Sequence, residues 1–373
     1  MKPSARLPLL TLTIAVGVGM LLAFQQPARA AGSLVIASGL DNPRGLAFGP
    51  DGALYVVEAG RGGTSSLCLP AAEAPTGPPR CYGPTGAVTR ITGVGVQQRV
   101  VTGLPSLAVP GGASATGPHD IDFGFGNAWI TVGFGGDPVV RAPFAAAGVN
   151  LGSLIRVPPN GPWVYELDLS AYEAAANPDG GAIDTNPYGL KVLADRGLYT
   201  DAGGNALMSI SANRTISTVA VFPDRTVPGP FGVGTVSMQS VPTCVTVAPD
   251  GNYYVGELTG FPFPVGAARV YRVSPQGGAP VVVATGFTNI IDLAIDRLGT
   301  AYVLEYDADG NFAPAGPGDA GRLTRVTTDG TRTVIAGGLL TRPGGVAIGP
   351  DGALYVTNRS ISAGLGEVIR IEP

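Results

Sequence analysis

Six times along this chain the same short phrase returns, and a chain that repeats one small unit can bury it only against copies of itself. Residues 43–58 (PRGLAFGPDGALYVVE), 242–257 (PTCVTVAPDGNYYVGE) and 343–358 (PGGVAIGPDGALYVTN) are near copies. Weaker copies occupy 118–133, 187–201 and 290–305. In each, an apolar run such as Leu46-Ala47-Phe48 reads as a strand and Pro50-Asp51-Gly52 as a tight turn. Leu54-Tyr55-Val56-Val57 is then the antiparallel return, since Gly takes the positive φ that such turns need and Asp bonds its own backbone there. Two more strand-like runs follow most copies, at 87–91 and 99–104 in the first unit and at 322–327 and 332–336 in the fifth. Four antiparallel strands per unit, repeated radially, predict an all-β, six-bladed β-propeller.

The ends predict how the ring closes. The last copy is followed by one further strand, 367–371, and then the chain stops. Its missing outer strand matches residues 33–40 (SLVIASGL), which resemble the fourth strands at 281–287 and 333–339. A ring tied in this way leaves no open sheet edge. Ahead of that strand, Lys2 and Arg6 precede an apolar run over 9–24 and the small-residue pattern Ala28-Arg29-Ala30. That order reads as a signal peptide over 1–30, with one propeller domain over 31–373. The expected destination is the cell exterior, the periplasm or the envelope, with no transmembrane segment left after cleavage.

Composition fits an exported all-β chain. The 57 Gly and 34 Pro punctuate turns and disfavour helices, and charged residues make up only 13%. A net charge of −4 leaves no basic footprint for nucleic acid. Cys68 and Cys81 share one Pro-rich loop and are expected to form a disulfide in an oxidising compartment. Cys244 lies in a strand pattern and reads as a buried thiol. Long insertions interrupt the blades at 60–84, 138–150, 172–187 and 226–241, and loops on a rigid scaffold are where recognition concentrates.

Aligning the copies places candidate functional residues. Glu58, Gly133, Asp201, Glu257, Glu305 and Asn358 all follow the second strand, near one mouth of the central channel. The starts of the first strands supply Gly45, Asp120, Gly189, Cys244, Asp292 and Gly345. Just before these stand Arg44, His119, Tyr188, Thr243, Ile291 and Gly344. Converging carboxylates must bind a cation, pair with arginine or share protons. The sharper reading is a site for Ca²⁺ or Mg²⁺ built from some of Glu58, Asp201, Glu257, Glu305, Asn358, Asp120 and Asp292, because oxygen ligands without thiols suit a hard cation. The plainer reading has each acid capping turn amides or facing solvent. Arg44, His119, Tyr188 and Thr243 are expected to line a polar pocket at the mouth. His119, the only histidine, reads either as a general base oriented by Asp120 or as a hydrogen-bonded structural residue.

The PxGLAxGPDGxLYVxE texture resembles the NHL and SMP-30-like propellers. A closer likeness, to the ScyD/ScyE family of secreted propellers, rests on three stretches. These are Leu40-Asp41-Asn42-Pro43-Arg44-Gly45-Leu46, then Asn177-Pro178-Asp179-Gly180-Gly181 with Asp184-Thr185-Asn186-Pro187-Tyr188-Gly189, and the closing Gly344-Gly345-Val346-Ala347-Ile348-Gly349-Pro350-Asp351-Gly352. The resemblance implies a secreted propeller and carries no activity with it. The set of asparagine ligands found in calcium-dependent lactonase relatives is not evident here. Beyond Arg44 and His119 there is no clamp of the sort that quinone-dependent sugar dehydrogenases use. Besides a structural propeller held in a multiprotein surface assembly with its channel empty, two functions stand open. One is a non-catalytic module, expected to be monomeric, that binds a small ligand or a secreted or envelope protein at its channel mouth and loops. The other is a channel-mouth enzyme, a metal-assisted lactonase or other hydrolase, or a sugar dehydrogenase-like protein.

Overall fold

The structure, a computed structural model, describes residues 32–70, 77–310 and 320–373. The expected leader over 1–30 and the mature start at Ala31 lie outside the described residues.

Six blades surround one axis. The first runs outward from Pro43–Phe48 through Leu54–Glu58 and Arg80–Gly93 to Val96–Ala108. The next four begin at the inner strands Pro118–Gly124, Pro187–Val192, Pro242–Val247 and Ile290–Ile295, each followed outward by three antiparallel partners. The sixth takes Gly345–Ile348, Leu354–Asn358 and Ala363–Ile371 from the C-terminus and its outer strand, Ser33–Asp41, from the N-terminus. Inner strands touch in the order one to six and back to one, so the ring is closed.

Local chemistry builds each blade as the repeats suggest. In the first turn Gly52 takes φ 77° while Asp51 accepts the Ala53 amide at 3.2 Å. Asp51 also receives Tyr55 and Arg90 from the second and third strands, and Asp351 holds Tyr355 and Arg370 in the same way in the sixth blade. Second strands lie sandwiched between neighbouring blades and are apolar on both faces: Val56 and Val57 are both fully buried. The closing strand joins this core, with Ile36, Ala37 and Leu40 packed against Leu46, Leu54 and Val56 of the first blade and Val368 of the sixth.

Cys68 and Cys81 are bonded, on directly opposed residues of two paired strands, and Cys244 is a buried free thiol. The insertions carry short elements. A 3₁₀ turn (Pro138–Arg141) and a helix (Ala142–Ala146) lengthen the second blade, and a helix (Ser170–Ala176) follows its outer strand. A hairpin of Arg225–Pro228 with Thr235–Met238 precedes the fourth blade. Among the described residues, no helix is long and apolar enough to cross a membrane.

One irregularity positions the mouth. In the first blade Pro43 pairs with Glu58 and Leu46 with Val56, so Arg44 and Gly45 together oppose Val57. The same shift recurs after Pro118, Pro187, Pro242 and Ile290. A bulge of this kind kinks its strand and re-aims side chains. It falls on Arg44, His119, Tyr188, Thr243 and Ile291.

Candidate site at the channel mouth

The carboxylates that follow the second strands are fully buried, and each is already engaged. Glu58 accepts the Asp41 amide at 2.6 Å, the Thr89 hydroxyl at 2.6 Å and a bidentate clasp from Arg99 at 2.9 and 2.6 Å. Glu305 accepts the Thr288 amide at 2.7 Å and two Arg322 bonds at 2.6 Å. Glu257 takes Ser240 and Tyr271 hydroxyls and pairs with Arg225, while burial raises its carboxyl above the usual range. Asp201, also raised by burial, accepts the Thr185 hydroxyl and the amides of Asn186, Gly203 and Gly204. Asn358 accepts the Thr341 amide at 2.7 Å.

These contacts share a logic. Each group fastens the segment entering its own inner strand to the end of the second strand, where an unpaired buried amide or hydroxyl would be costly. The six positions are not gathered into one ligand shell. Among the described residues no three Asp, Glu, His or Cys side chains are grouped to hold a metal ion.

Asp120 and Asp292 have a different task. They stand on blades two and five, on opposite sides of the axis. Asp120 accepts the Leu190 amide of blade three at 2.7 Å, and Asp292 accepts the Val346 amide of blade six at 2.7 Å. Each stitches its inner strand to the next. Burial, and next the charge of Asp292, hold the Asp120 carboxyl well above its usual range; burial pushes Asp292 up to about 6. Gly45 makes room for this arrangement, since a Cβ there would stand 2.0 Å from the Asp120 carboxylate.

The four residues expected in the pocket divide. Thr243 is consumed structurally, donating its hydroxyl to the Ile290 carbonyl of the next blade at 2.8 Å. His119, Tyr188 and Arg44 come together. The His119 and Tyr188 rings lie 4.3 Å apart, tilted by 35°. His119 Nδ1 sits 3.0 Å from the Pro187 carbonyl, an acceptor only, so Nδ1 carries the proton and Nε2 keeps a lone pair. Burial, and next the Arg44 charge, lower His119 to about 3, so the ring is neutral at neutral pH. Asp120 does not touch the ring; its oxygens are spent on Ile121 and Leu190 amides. Gly133 falls one residue past the acid ring, since Pro118 pairs with Val132 where Pro43 pairs with Glu58, and it serves the imidazole, because a Cβ there would stand 2.0 Å from His119 Cε1.

Arg44 is the anomaly. It is 9% exposed, and among the described residues no carboxylate lies within ion-pairing distance. One Nη2 donates to the Ala115 carbonyl at 3.0 Å, while Nε is buried with no acceptor. Burial raises the Tyr188 hydroxyl, and the charge of Arg44 with a hydrogen-bond contact to it pulls the other way.

No family model matches the sequence, and no curated protein matches it. Solved structures share the fold. A structure assigned as a gluconolactonase covers 91% of this chain and 91% of its own, at 14% identity and a TM-score of 0.50. A protein of unknown function from Bacteroides thetaiotaomicron covers 91% of this chain and 75% of its own, at 10% identity and a TM-score of 0.55. A calcium-binding regucalcin from Agrobacterium tumefaciens covers 92% of this chain and 95% of its own, at 14% identity and a TM-score of 0.48. At these identities the likeness extends to the propeller architecture alone.

Proposed function

We propose that this chain is an exported propeller, of the ScyD/ScyE type its motifs resemble, that binds a small anionic ligand at its channel mouth without transforming it. The observation that supports this reading is the buried guanidinium of Arg44, which has no carboxylate beside it and whose Nε has no acceptor. An uncompensated buried charge costs several kcal/mol by general experience, about 3–5 when one partner of a pair is missing. A carboxylate or phosphate entering the mouth supplies the two acceptors that a guanidinium fork matches. His119 Nε2 beside it accepts but cannot donate, so a ligand hydroxyl fits there better than a second anionic oxygen. A hydroxycarboxylate meets both demands. Held to about 3, the imidazole takes up a proton poorly near neutrality, which favours holding a ligand over general-base chemistry.

The test is a thermal melt of untagged protein with gluconate, succinate and phosphate at fixed ionic strength. Binding to the native state raises the melting temperature. Wild type is expected to respond most to gluconate, and Arg44→Leu to melt at the same or a higher temperature with no response. The reading fails if no anion shifts the wild type, or if Arg44→Leu responds equally.

A further inference from the structure

The insertion entering blade three gathers buried oxygen atoms for which the propeller has no use. Helix Ser170–Ala176 ends at Asn177, which takes φ 37°, and the chain then runs through Asp179 and Asp184 to the inner strand. Glu173 on this helix is fully buried, and neither carboxylate oxygen has a hydrogen-bond partner. Asn177 Oδ1 and Asp184 Oδ1 are likewise buried without partners, as is the Tyr199 hydroxyl.

Two of these groups, Glu173 and Asp184, meet at one turn. A Cβ on Gly204 would stand 2.6 Å from Glu173 Oε2, and a Cβ on Gly203 would stand 2.9 Å from Asp184 Oδ1. Both carboxylates thus rest in space that the two missing side chains leave open. Asp201 lies beneath, accepting the Gly203 and Gly204 amides at 3.1 Å. Asp179 is tied to the same place by Asn205, whose amide bridges Asp179 Oδ2 at 2.9 Å and the Gly203 carbonyl at 3.2 Å. Among the described residues none of these four acids forms an ion pair. Burial, and next the charges of Asp201, Asp179 and Asp184, push Glu173 up to about 7.

We propose that Glu173, Asn177, Asp179 and Asp184 form a calcium site between this loop and the Gly203–Gly204 turn, separate from the channel mouth. Every donor is oxygen, which selects a hard cation over zinc or copper. A loop rich in carboxylate and amide oxygens suits Ca²⁺, with its six to eight ligands, better than Mg²⁺, which insists on a compact octahedron. Among the described residues no three acids already form a finished cage; Glu173 and Asp184, which meet at the Gly203–Gly204 turn, would hold the ion first, with Asn177 and Asp179 of the same loop completing its shell. The site gives the Asn177-Pro178-Asp179-Gly180-Gly181 and Asp184 motif a role that strand building does not.

The test uses the full mature chain, stripped with chelator and titrated with Ca²⁺ by calorimetry and thermal melt, with Tb³⁺ luminescence as a direct probe. One Ca²⁺ per chain is expected, in or below the roughly 0.1–1 mM range of extracellular modules, with a rise in melting temperature that chelator reverses. Glu173→Gln, which removes a buried unpaired charge and should fold, is expected to weaken binding at least tenfold. Asp184→Asn is a second, independent probe. Arg44→Leu should leave the calcium response intact, so failure here is distinguishable from failure of the mouth. A wild type indifferent to both ions, or variants that bind as tightly as wild type, would overturn the proposal.

Discussion

The N-terminal strand closes the ring, and its worth can be put to a single side chain. Leu40 is 1% exposed and packs in one cluster with Leu46, Leu54 and Val56 of blade one and Val368 of blade six. Truncating a buried leucine to alanine costs about 2–5 kcal/mol, according to how far the cavity collapses. Unfolding entropy of about 2.1 cal/mol/K per residue, over about 340 residues, is about 0.7 kcal/mol/K. Leu40→Ala should therefore lower the melting temperature by roughly 3–7 °C. Leu34, on the same strand but 43% exposed, is the control, and Leu34→Ala should stay within about 0.5 kcal/mol of wild type. Scanning calorimetry is the assay, and one shifted transition is expected because closure holds all six blades. A Leu40→Ala melt within a degree of wild type, or a separate early transition releasing blade six, would refute the closure argument.

Two further outcomes follow from the buried charges. Arg322→Leu strands Glu305 without its clasp and should cost about 3–5 kcal/mol, while adding Glu305→Gln should recover much of that loss; denaturant titration of the cycle checks it. Buried groups pull the pH dependence in opposite directions, His119 one way and the raised carboxyls, Asp292 among them with Asp120, Asp201, Glu257 and Glu173, the other. His119, at about 3 folded against 6.5 unfolded, contributes stability that is full above pH 6.5 and falls away as pH drops towards 3. Asp292, raised to about 6 from 3.8, contributes stability below its unfolded value that is lost as pH rises through 6. Between about pH 4 and 6, Asp292→Asn should steepen the gain of stability with rising pH and His119→Gln should reverse or flatten it. Equal slopes in melts of the two variants would contradict the assignment.

The architecture was legible because repeats report packing directly. The Pro-Asp-Gly turns, the apolar second strands and the orphan strand over 33–40 each have one sensible place in a ring. The acids were legible as equivalent positions but not as partners. Glu58, Glu257 and Glu305 meet Arg99, Arg225 and Arg322, which lie 41, 32 and 17 residues away, on a fourth strand, an inserted hairpin and a third strand. Because those arginines do not align with one another, the repeat register that exposed the carboxylates concealed what neutralises them. The bulge was hidden too, since nothing in Arg44-Gly45 or His119-Asp120 spells an extra residue against the neighbouring strand. Glu173 is hidden in the sequence for a simpler reason. It lies in an insertion outside the repeat, on a short helix that an all-β reading does not anticipate.

The most direct measurement of the mouth is nuclear magnetic resonance of untagged protein labelled at histidine, because His119 is the chain's one histidine. A single imidazole protonated at Nδ1 and unchanged from pH 5 to 8 is expected, with an Nε2 signal that moves on adding gluconate in wild type but not in Arg44→Leu. A ring that titrates near 6.5, or one indifferent to every anion offered, would contradict that expectation.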